Sequence, residues 1–150
     1  MTRTLTPLLA ALLLATAPMA QAAQPVEAAA PAAAEEKVVY HVNDSAVARM
    51  AMNNVNNHLN ANPNAKIVVV THGKGIDFLL KGAEDPNGNP YEIGVQALTD
   101  KGVSFRVCNN TLKSRKLEAS AVVPEATVVA SGVAEIGKLQ SQEGYVYLKP

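Results

Sequence analysis

Lys66-Ile67-Val68-Val69-Val70-Thr71 is the stretch that decides the fold of this 150-residue chain. The run is almost continuous in β-branched apolar residues and lacks the alternation with polar residues that a half-exposed strand shows. A strand of this composition is typical of a parallel sheet that is covered on both faces. Four further β-type runs are predicted, in chain order, at residues 37–42, 103–108, 126–130 and 145–149.

Helical patterns separate the predicted strands. Residues 45–60 carry a single apolar stripe, and Pro63 prevents the helix from continuing. Residues 76–81 and 91–101 predict two more helices, and the loop between them is rich in Gly, Pro and Asn.

The last predicted helix has clear start and stop signals. Ser131 can cap its first turn, and Gly144 lies just past its end. Alternating strands and helices of this kind predict an α/β fold, a three-layer α/β/α sandwich around a five-stranded, mostly parallel sheet with right-handed crossovers. We expect residues 37–150 to form this one domain.

The amino terminus has the features of a secretory signal. Arg3 precedes an apolar run over residues 5–17, and Ala20-Gln21-Ala22 has the small residues of a cleavage site. We therefore predict a signal peptide over residues 1–22 and export, to the periplasm of a bacterium; an uncleaved membrane anchor is the alternative. Residues 23–36 are rich in alanine and proline, and we expect them to form a disordered leader.

The charge balance argues against two classes of partner. Without Arg3, the chain retains 12 basic and 13 acidic residues, so it is close to neutral. A neutral domain offers no electrostatic reason to bind nucleic acid or, after signal cleavage, a membrane. The chain also has a single cysteine and cannot form an internal disulfide, so its apolar core must suffice for stability.

Polar residues follow the predicted strands at positions that should converge. In chain order they are His41, Asn43 and Asp44 at the first strand, His72 and Gly73 at the second, Cys108 and Asn109 at the third, and Ser131 at the fourth. Because ligands of open α/β sheets bind outside the carboxyl ends of the strands, we expect the functional site at this edge.

Cys108 is the most informative of these residues. Asn109, Asn110 and Thr111 are types that cap helices, and backbone N–H groups at a helix start stabilise a thiolate. These neighbours favour a reactive thiol. A free cysteine is also among the most buried residue types, so a purely structural Cys108 remains open.

The turn after the second strand is a candidate ligand cradle. Gly73 and Gly75 expose backbone N–H groups, but the turn lacks the third glycine of a dinucleotide fingerprint and the Gly-Lys-Ser/Thr ending of a P-loop. We predict that Gly73, Gly75, Asn43, Asn109 and Asn110 contact a small ligand. A tight turn without a ligand is the alternative.

Two side chains could tune the thiol. His72 could act as an acid, a base or a partner of the thiolate, or it could simply bond its own turn. Arg106 lies on the same side of its strand as Cys108 and could lower the thiol pKa or hold an acidic partner.

His41, His72 and Cys108 could in principle ligate a metal, but no close ligand pair supports this, and we predict neither metal nor cofactor. No Gly-x-Ser-x-Gly elbow of a serine hydrolase is present.

Four stretches resemble the DsrE/DsrF-like sulfur-relay family. In chain order they are Lys37-Val38-Val39-Tyr40-His41-Val42-Asn43-Asp44, Val70-Thr71-His72-Gly73, Gly102-Val103-Ser104-Phe105-Arg106-Val107-Cys108-Asn109-Asn110-Thr111-Leu112, and Ser131-Gly132-Val133-Ala134-Glu135-Ile136 with Gly144-Tyr145. The stretch that contains Cys108 is the most specific.

The resemblance implies an α/β/α fold, a homo- or hetero-oligomer, and a cysteine that carries sulfur as a persulfide. Only Cys108 corresponds to that cysteine. We therefore expect a homo-oligomeric sulfur carrier or sulfurtransferase that receives sulfane sulfur from a donor protein and passes it to the thiol of an acceptor protein. The alternative is a non-catalytic oligomeric module that binds a small ligand and in which Cys108 is structural.

Overall fold

The computed structural model describes residues 35–150. The predicted signal peptide and residues 23–34 of the predicted leader lie outside the described residues. Glu35 and Glu36 already contact the domain: the Glu36 carbonyl accepts a hydrogen bond from the Lys66 N–H at 2.7 Å. Within the described part of the chain, no helix is both long and apolar enough to cross a membrane.

Five strands form one sheet, and every neighbouring pair is parallel. The strands are β1 (Lys37–Val42), β2 (Lys66–Thr71), β3 (Ser104–Cys108), β4 (Ala126–Val129) and β5 (Val146–Leu148). Their order across the sheet is β4-β3-β2-β1-β5. The predicted α/β/α fold is confirmed, and the sheet is wholly rather than mostly parallel.

Four α-helices cover the sheet. They are α1 (Ala48–Ala61), α2 (Tyr91–Thr99), α3 (Asn109–Ser114) and α4 (Gly132–Glu143). Two segments predicted as α-helix are 3-10 instead: Ser45–Val47 precedes α1, and Gly73–Leu79 replaces the helix predicted at 76–81. In the second case two glycines within three residues weaken an α-helical start, because glycine favours looser backbone conformations.

The strand order determines which face each helix covers. The chain moves in one direction from β1 to β4 and then returns past β1 to β5. Right-handed crossovers therefore place α4 on the face opposite to the other helices. The core has two matching parts: α1, α2 and α3 pack on one face with Val38 and Phe105, whereas Ile136 and Leu139 of α4 pack on the other.

The central strand is buried on both faces. Val69 and Val70 point to opposite sides of the sheet, and they are only 2% and 0% exposed. This double burial is the physical reason for the continuous apolar run, because every residue of the strand after Lys66 is buried.

The ends of α4 match the sequence signals. Ser131 Oγ accepts a hydrogen bond from the Ala134 N–H at 3.4 Å and caps the first turn. Gly144 has a φ of 74°, a left-handed conformation that glycine adopts without strain, and it ends the helix. Because these caps set the register of α4, they also set where its first residue, Gly132, lies in the site described next.

Candidate functional site

The site lies where two neighbouring strands send their helices to opposite faces of the sheet. β3 ends at Cys108 and α3 follows at once, whereas β4 leads into α4 on the other face. In open α/β sheets such a switch point forms a crevice at the carboxyl ends of the strands. Here the amino termini of α3 and α4 both approach the Cys108 side chain.

Cys108 itself is the N-cap residue of α3. We had expected Asn109, Asn110 and Thr111 to cap this helix, but these three residues form its first turn. A cysteine at this position places its sulfur near the N–H groups of the second and third helical residues, which have no partners within the helix. The side chain of Cys108 makes no capping hydrogen bond of full geometry, so the thiol stands where a hydroxyl or carboxylate usually caps a helix.

The environment of Cys108 favours its thiolate form. Burial raises the pKa of the thiol, but hydrogen bonds from the backbone N–H groups of Gly132, Thr111 and Asn110 and from the Thr111 side chain outweigh it, so the net pKa lies below the ordinary value. The residue is 4% exposed. A purely apolar pocket would have shifted the pKa in the opposite direction.

Gly132 is the closest neighbour of the cysteine from α4. A Cβ at this position would lie 3.0 Å from the Thr71 carbonyl oxygen, 3.2 Å from Cys108 Cβ and 3.3 Å from His72 Cβ. These distances are tighter than almost all real Cβ contacts. Only glycine therefore allows the first N–H of α4 to come this near to the sulfur.

Thr111 links the cysteine to the glycine turn. Its Oγ1 accepts a hydrogen bond from the Gly73 N–H at 3.0 Å. Gly73 has a φ of 58°, which is the left-handed region that favours glycine. Because the hydroxyl oxygen accepts from Gly73, its hydrogen is free to donate to the Cys108 sulfur.

His72 bonds to a second histidine rather than to its own turn. Its Nε2 lies 2.7 Å from His41 Nε2, and His41 Nδ1 lies 2.7 Å from the Tyr147 hydroxyl. Burial is the main cause that lowers the pKa of His41, and the nearby His72 and Lys149 lower it further. The result is a chain of three hydrogen-bonding groups that runs from β5 to the end of β2.

Arg106 has an acidic partner. Its guanidinium forms an ion pair with Glu135 of α4, and both side chains are largely buried. Holding an acidic partner was one of the roles considered for Arg106 from the sequence. The pair ties β3 to α4 one turn above Gly132, and so it helps to hold the start of α4 over the cysteine.

The remaining predicted ligand residues surround this centre. Asn43 and Asn110 are exposed, and Asn109 is half-buried. Gly75 is buried against the end of β1, where a Cβ would overlap the Val42 carbonyl, and its N–H donates to the His72 carbonyl at 3.0 Å. Gly75 therefore has a packing role, and ligand contact by these residues stays a prediction.

An open depression lies beside Thr111. Its volume is about 470 Å³, and it is lined by Gly73, Lys74, Asp77, Thr111, Ser114 and Arg115. Arg115 forms an ion pair with Asp77, which leaves Lys74 as the unneutralised charge in the lining. Across residues 35–150, no three His, Cys, Asp or Glu side chains are grouped so that they could hold a metal ion.

Sequence analysis missed two contributors to the site, Gly132 and Tyr147. It named His41 as a possible metal ligand but did not predict its hydrogen bonds to His72 and Tyr147. A Ser-Gly pair at a predicted helix start was the one available signal for Gly132. The histidine pair had no local signal, because its members lie 31 residues apart.

The comparisons with known proteins define the class of this chain. The model of the DsrE/DsrF-like family matches residues 36–150. The chain therefore belongs to the DsrE/DsrF-like family. No curated protein matches the sequence.

Two solved structures share this fold. The protein of unknown function MTH1491 from Methanobacterium thermoautotrophicum is 29% identical with a TM-score of 0.70, and the match covers 77% of this chain and 100% of that one. The ychN protein from E. coli is 13% identical with a TM-score of 0.65, and the match covers 77% and 99% of the two chains. At that identity, the second match speaks for the fold alone.

Proposed function

We propose that this protein carries sulfane sulfur as a persulfide on Cys108 and passes it to the thiol of an acceptor protein. One observation carries the proposal: Cys108 lies buried at the end of β3, at the N-cap of α3 and against the first residue of α4, and these surroundings lower its pKa although burial alone would raise it. The sulfur-relay role of the DsrE/DsrF-like family supports the same chemistry. Export through the predicted signal peptide and assembly into a homo-oligomer are parts of the proposal.

The proposed loading step is a thiol exchange. The Cys108 thiolate attacks the terminal sulfur of a donor R–S–SH, the new S–S bond forms, and the donor S–S bond breaks with both electrons going to R–S⁻. The product is Cys108–S–SH, and R–S⁻ takes up a proton to become R–SH. Nothing is oxidised or reduced overall, so the step needs no cofactor.

The single cysteine suits a carrier. With no second thiol in the chain, the held sulfur cannot be released by formation of an internal disulfide. Release therefore requires a thiol from another molecule, which attacks the persulfide sulfur and regenerates the Cys108 thiolate. This requirement makes transfer dependent on an acceptor.

Burial of Cys108 also supports a rival function. A residue that is 4% exposed could be a core cysteine in a module that binds a small ligand at the glycine turn. The two functions differ in the state of the thiol. A carrier needs a thiolate that reacts near neutral pH, whereas a core thiol is inert.

Mass spectrometry of purified protein incubated with an alkyl persulfide tests the proposal. We expect a mass increase of one sulfur atom in the parent protein and none in Cys108→Ser. Cys108→Ala leaves no buried hydroxyl, so this variant is used to compare the free energy of unfolding with that of the parent protein. If the parent protein takes up no sulfur and iodoacetamide does not alkylate Cys108 in the native state, the carrier function is wrong.

A further inference from the structure

Tyr147, His41 and His72 form a continuous hydrogen-bonded chain with one end at the surface. The Tyr147 hydroxyl belongs to a residue that is 37% exposed, and both links of the chain measure 2.7 Å. The two histidines join through their Nε2 atoms. A hydrogen bond between two ring nitrogens requires one proton between them, so the two neutral rings must adopt complementary tautomers.

Two proton arrangements satisfy this geometry. In the first, Tyr147 donates to His41 Nδ1, His41 donates from Nε2 to His72 Nε2, and His72 carries its own proton on Nδ1. In the second, both hydrogen bonds reverse, and His72 Nδ1 has no proton. His72 Nδ1 is therefore an acid in the first arrangement and a base in the second, without any net charge on the pair.

His72 lies beside Cys108 under the start of α4, and Nδ1 is its ring nitrogen that is not bonded to His41. Thr71 pairs with Val107 in the β2–β3 register, so His72 and Cys108 occupy matching positions at the ends of these strands. Both of their Cβ atoms border Gly132. Nδ1 is two bonds from Cβ, whereas Nε2 is directed at His41, and no hydrogen-bond partner of Nδ1 is found among the described residues.

We propose that His72 exchanges a proton with the sulfur species that react at Cys108, and that His41 and Tyr147 connect His72 to solvent. His72 is the catalytic acid and base, whereas His41 and Tyr147 are positioning residues that act through it. This inference rests on Cys108 as the nucleophile of the proposed function, but it holds for any thiol exchange at that sulfur.

The proton transfers balance along His72, His41 and Tyr147, with one proton taken from water. As R–S⁻ leaves the donor, His72 gives up its Nδ1 proton to form R–SH. His72 Nε2 then takes the proton of His41 Nε2, His41 Nδ1 takes the proton of Tyr147, and the Tyr147 oxygen takes a proton from water. Reversal of these transfers removes the proton from an acceptor thiol before it attacks the persulfide.

Few other charges act on the histidine pair. Lys149, just after β5, lowers the pKa of His41, so it helps to keep His41 neutral. On the same face of the sheet, the Arg106–Glu135 ion pair joins β3 to α4, and its two charges offset each other. Cys108 is the remaining titratable group beside His72. A neutral pair is what the two arrangements require.

The experiment compares two leaving groups. An alkyl disulfide releases a basic thiolate that needs a proton, whereas 2,2′-dipyridyl disulfide releases a charge-delocalised pyridine-2-thiolate, which leaves without a proton from the protein and becomes the thione by taking a proton from water. We expect Tyr147→Phe to slow exchange at Cys108 with the alkyl disulfide by about tenfold and His72→Gln by about a hundredfold, with little change for the dipyridyl reagent. The rates are measured by stopped-flow absorbance or quenched mass spectrometry.

A second tyrosine–histidine pair supplies the control. Tyr40 bonds His58 Nδ1 at 3.0 Å on the opposite face of the sheet, and Tyr40→Phe removes the same type of hydrogen bond. We expect Tyr40→Phe to leave both rates unchanged. In the His41→Ala variant, added free imidazole should restore the rate of exchange with the alkyl disulfide. It should not change the rate with 2,2′-dipyridyl disulfide.

Each outcome decides the question. A loss that is equal for both reagents, or absent for both, would overturn the relay, as would His41→Ala that keeps the parent rate with the alkyl disulfide. If the rates follow these expectations but the protein takes up no sulfur, the proton relay is supported and only the sulfur-carrier function is wrong.

Discussion

Replacing Gly132 with Ala tests the geometry on which the site depends. The new Cβ would lie 3.0 Å from the Thr71 carbonyl oxygen and 3.2 Å from Cys108 Cβ. The Thr71 carbonyl is held in the sheet, so α4 must move away instead. Its first N–H then moves off the Cys108 sulfur.

The expected magnitudes follow from these contacts. Overpacking of this type costs about 1 to 3 kcal/mol in the free energy of unfolding. A hydrogen bond to a charged group contributes about 1.5 to 3 kcal/mol, so partial loss of the hydrogen bond from the Gly132 N–H should raise the thiol pKa.

Gly137→Ala is the matched control. Gly137 lies in the same helix, and a Cβ there would contact nothing within 4 Å. Alanine should stabilise the helix at this position by about 0.5 to 1 kcal/mol, because glycine loses more conformational entropy on folding. The Gly132→Ala variant should therefore be less stable than Gly137→Ala by about 1.5 to 4 kcal/mol.

Two assays read the result. Urea unfolding gives the difference in stability, and the rate of iodoacetamide alkylation as a function of pH gives the thiol pKa. A Gly132→Ala variant that is as stable as Gly137→Ala and retains the parent thiol pKa would refute the role given to the start of α4.

Three further predictions concern other parts of the chain. Gly75→Ala should destabilise the fold by about 3 kcal/mol or more, because its Cβ would overlap the Val42 carbonyl, and urea unfolding measures this. The pKa of His41 is lowered in the folded protein, so the unfolded chain binds a proton more readily at this residue. The free energy of unfolding should therefore fall as the pH drops from about 6.5 to the folded-state pKa of His41. Unfolding curves for His41→Gln should lack this loss. Protein from the native host should begin at Ala23 and form a homo-oligomer; terminal sequencing that finds Met1, or light scattering that finds a monomer, would contradict these expectations.

Much of the fold could be predicted because its signals are local. The bounds of β1 and β2 agree with the predicted runs at 37–42 and 66–71, since a strand buried on both faces must be apolar at almost every position. Ser131 and Gly144 likewise bound α4, because a cap acts on residues of its own helix. The 3-10 helix at Gly73–Leu79 was missed, since a short glycine-containing segment holds too few residues for periodicity to separate the two helix types.

The position of Cys108 at a strand end was also readable from the sequence, and so was its place beside a helix start. The sequence alone could not decide whether that thiol is activated. Its strongest external donor, the Gly132 N–H, comes from α4, which reaches the sulfur only because β4 lies next to β3 and its crossover runs back across the opposite face.

The histidine chain depends even more on tertiary structure. His41 and Tyr147 are 106 residues apart, and they meet because β5 pairs with β1 and places Tyr147 opposite Val39 on the α4 face. The same five strand patterns are compatible with several strand orders, because each pattern records only that its own residues are buried. Sequence therefore determined the strands, most of the helices and the place of Cys108 at a strand end, whereas long-range strand pairing decided which hydrogen-bonding groups surround it.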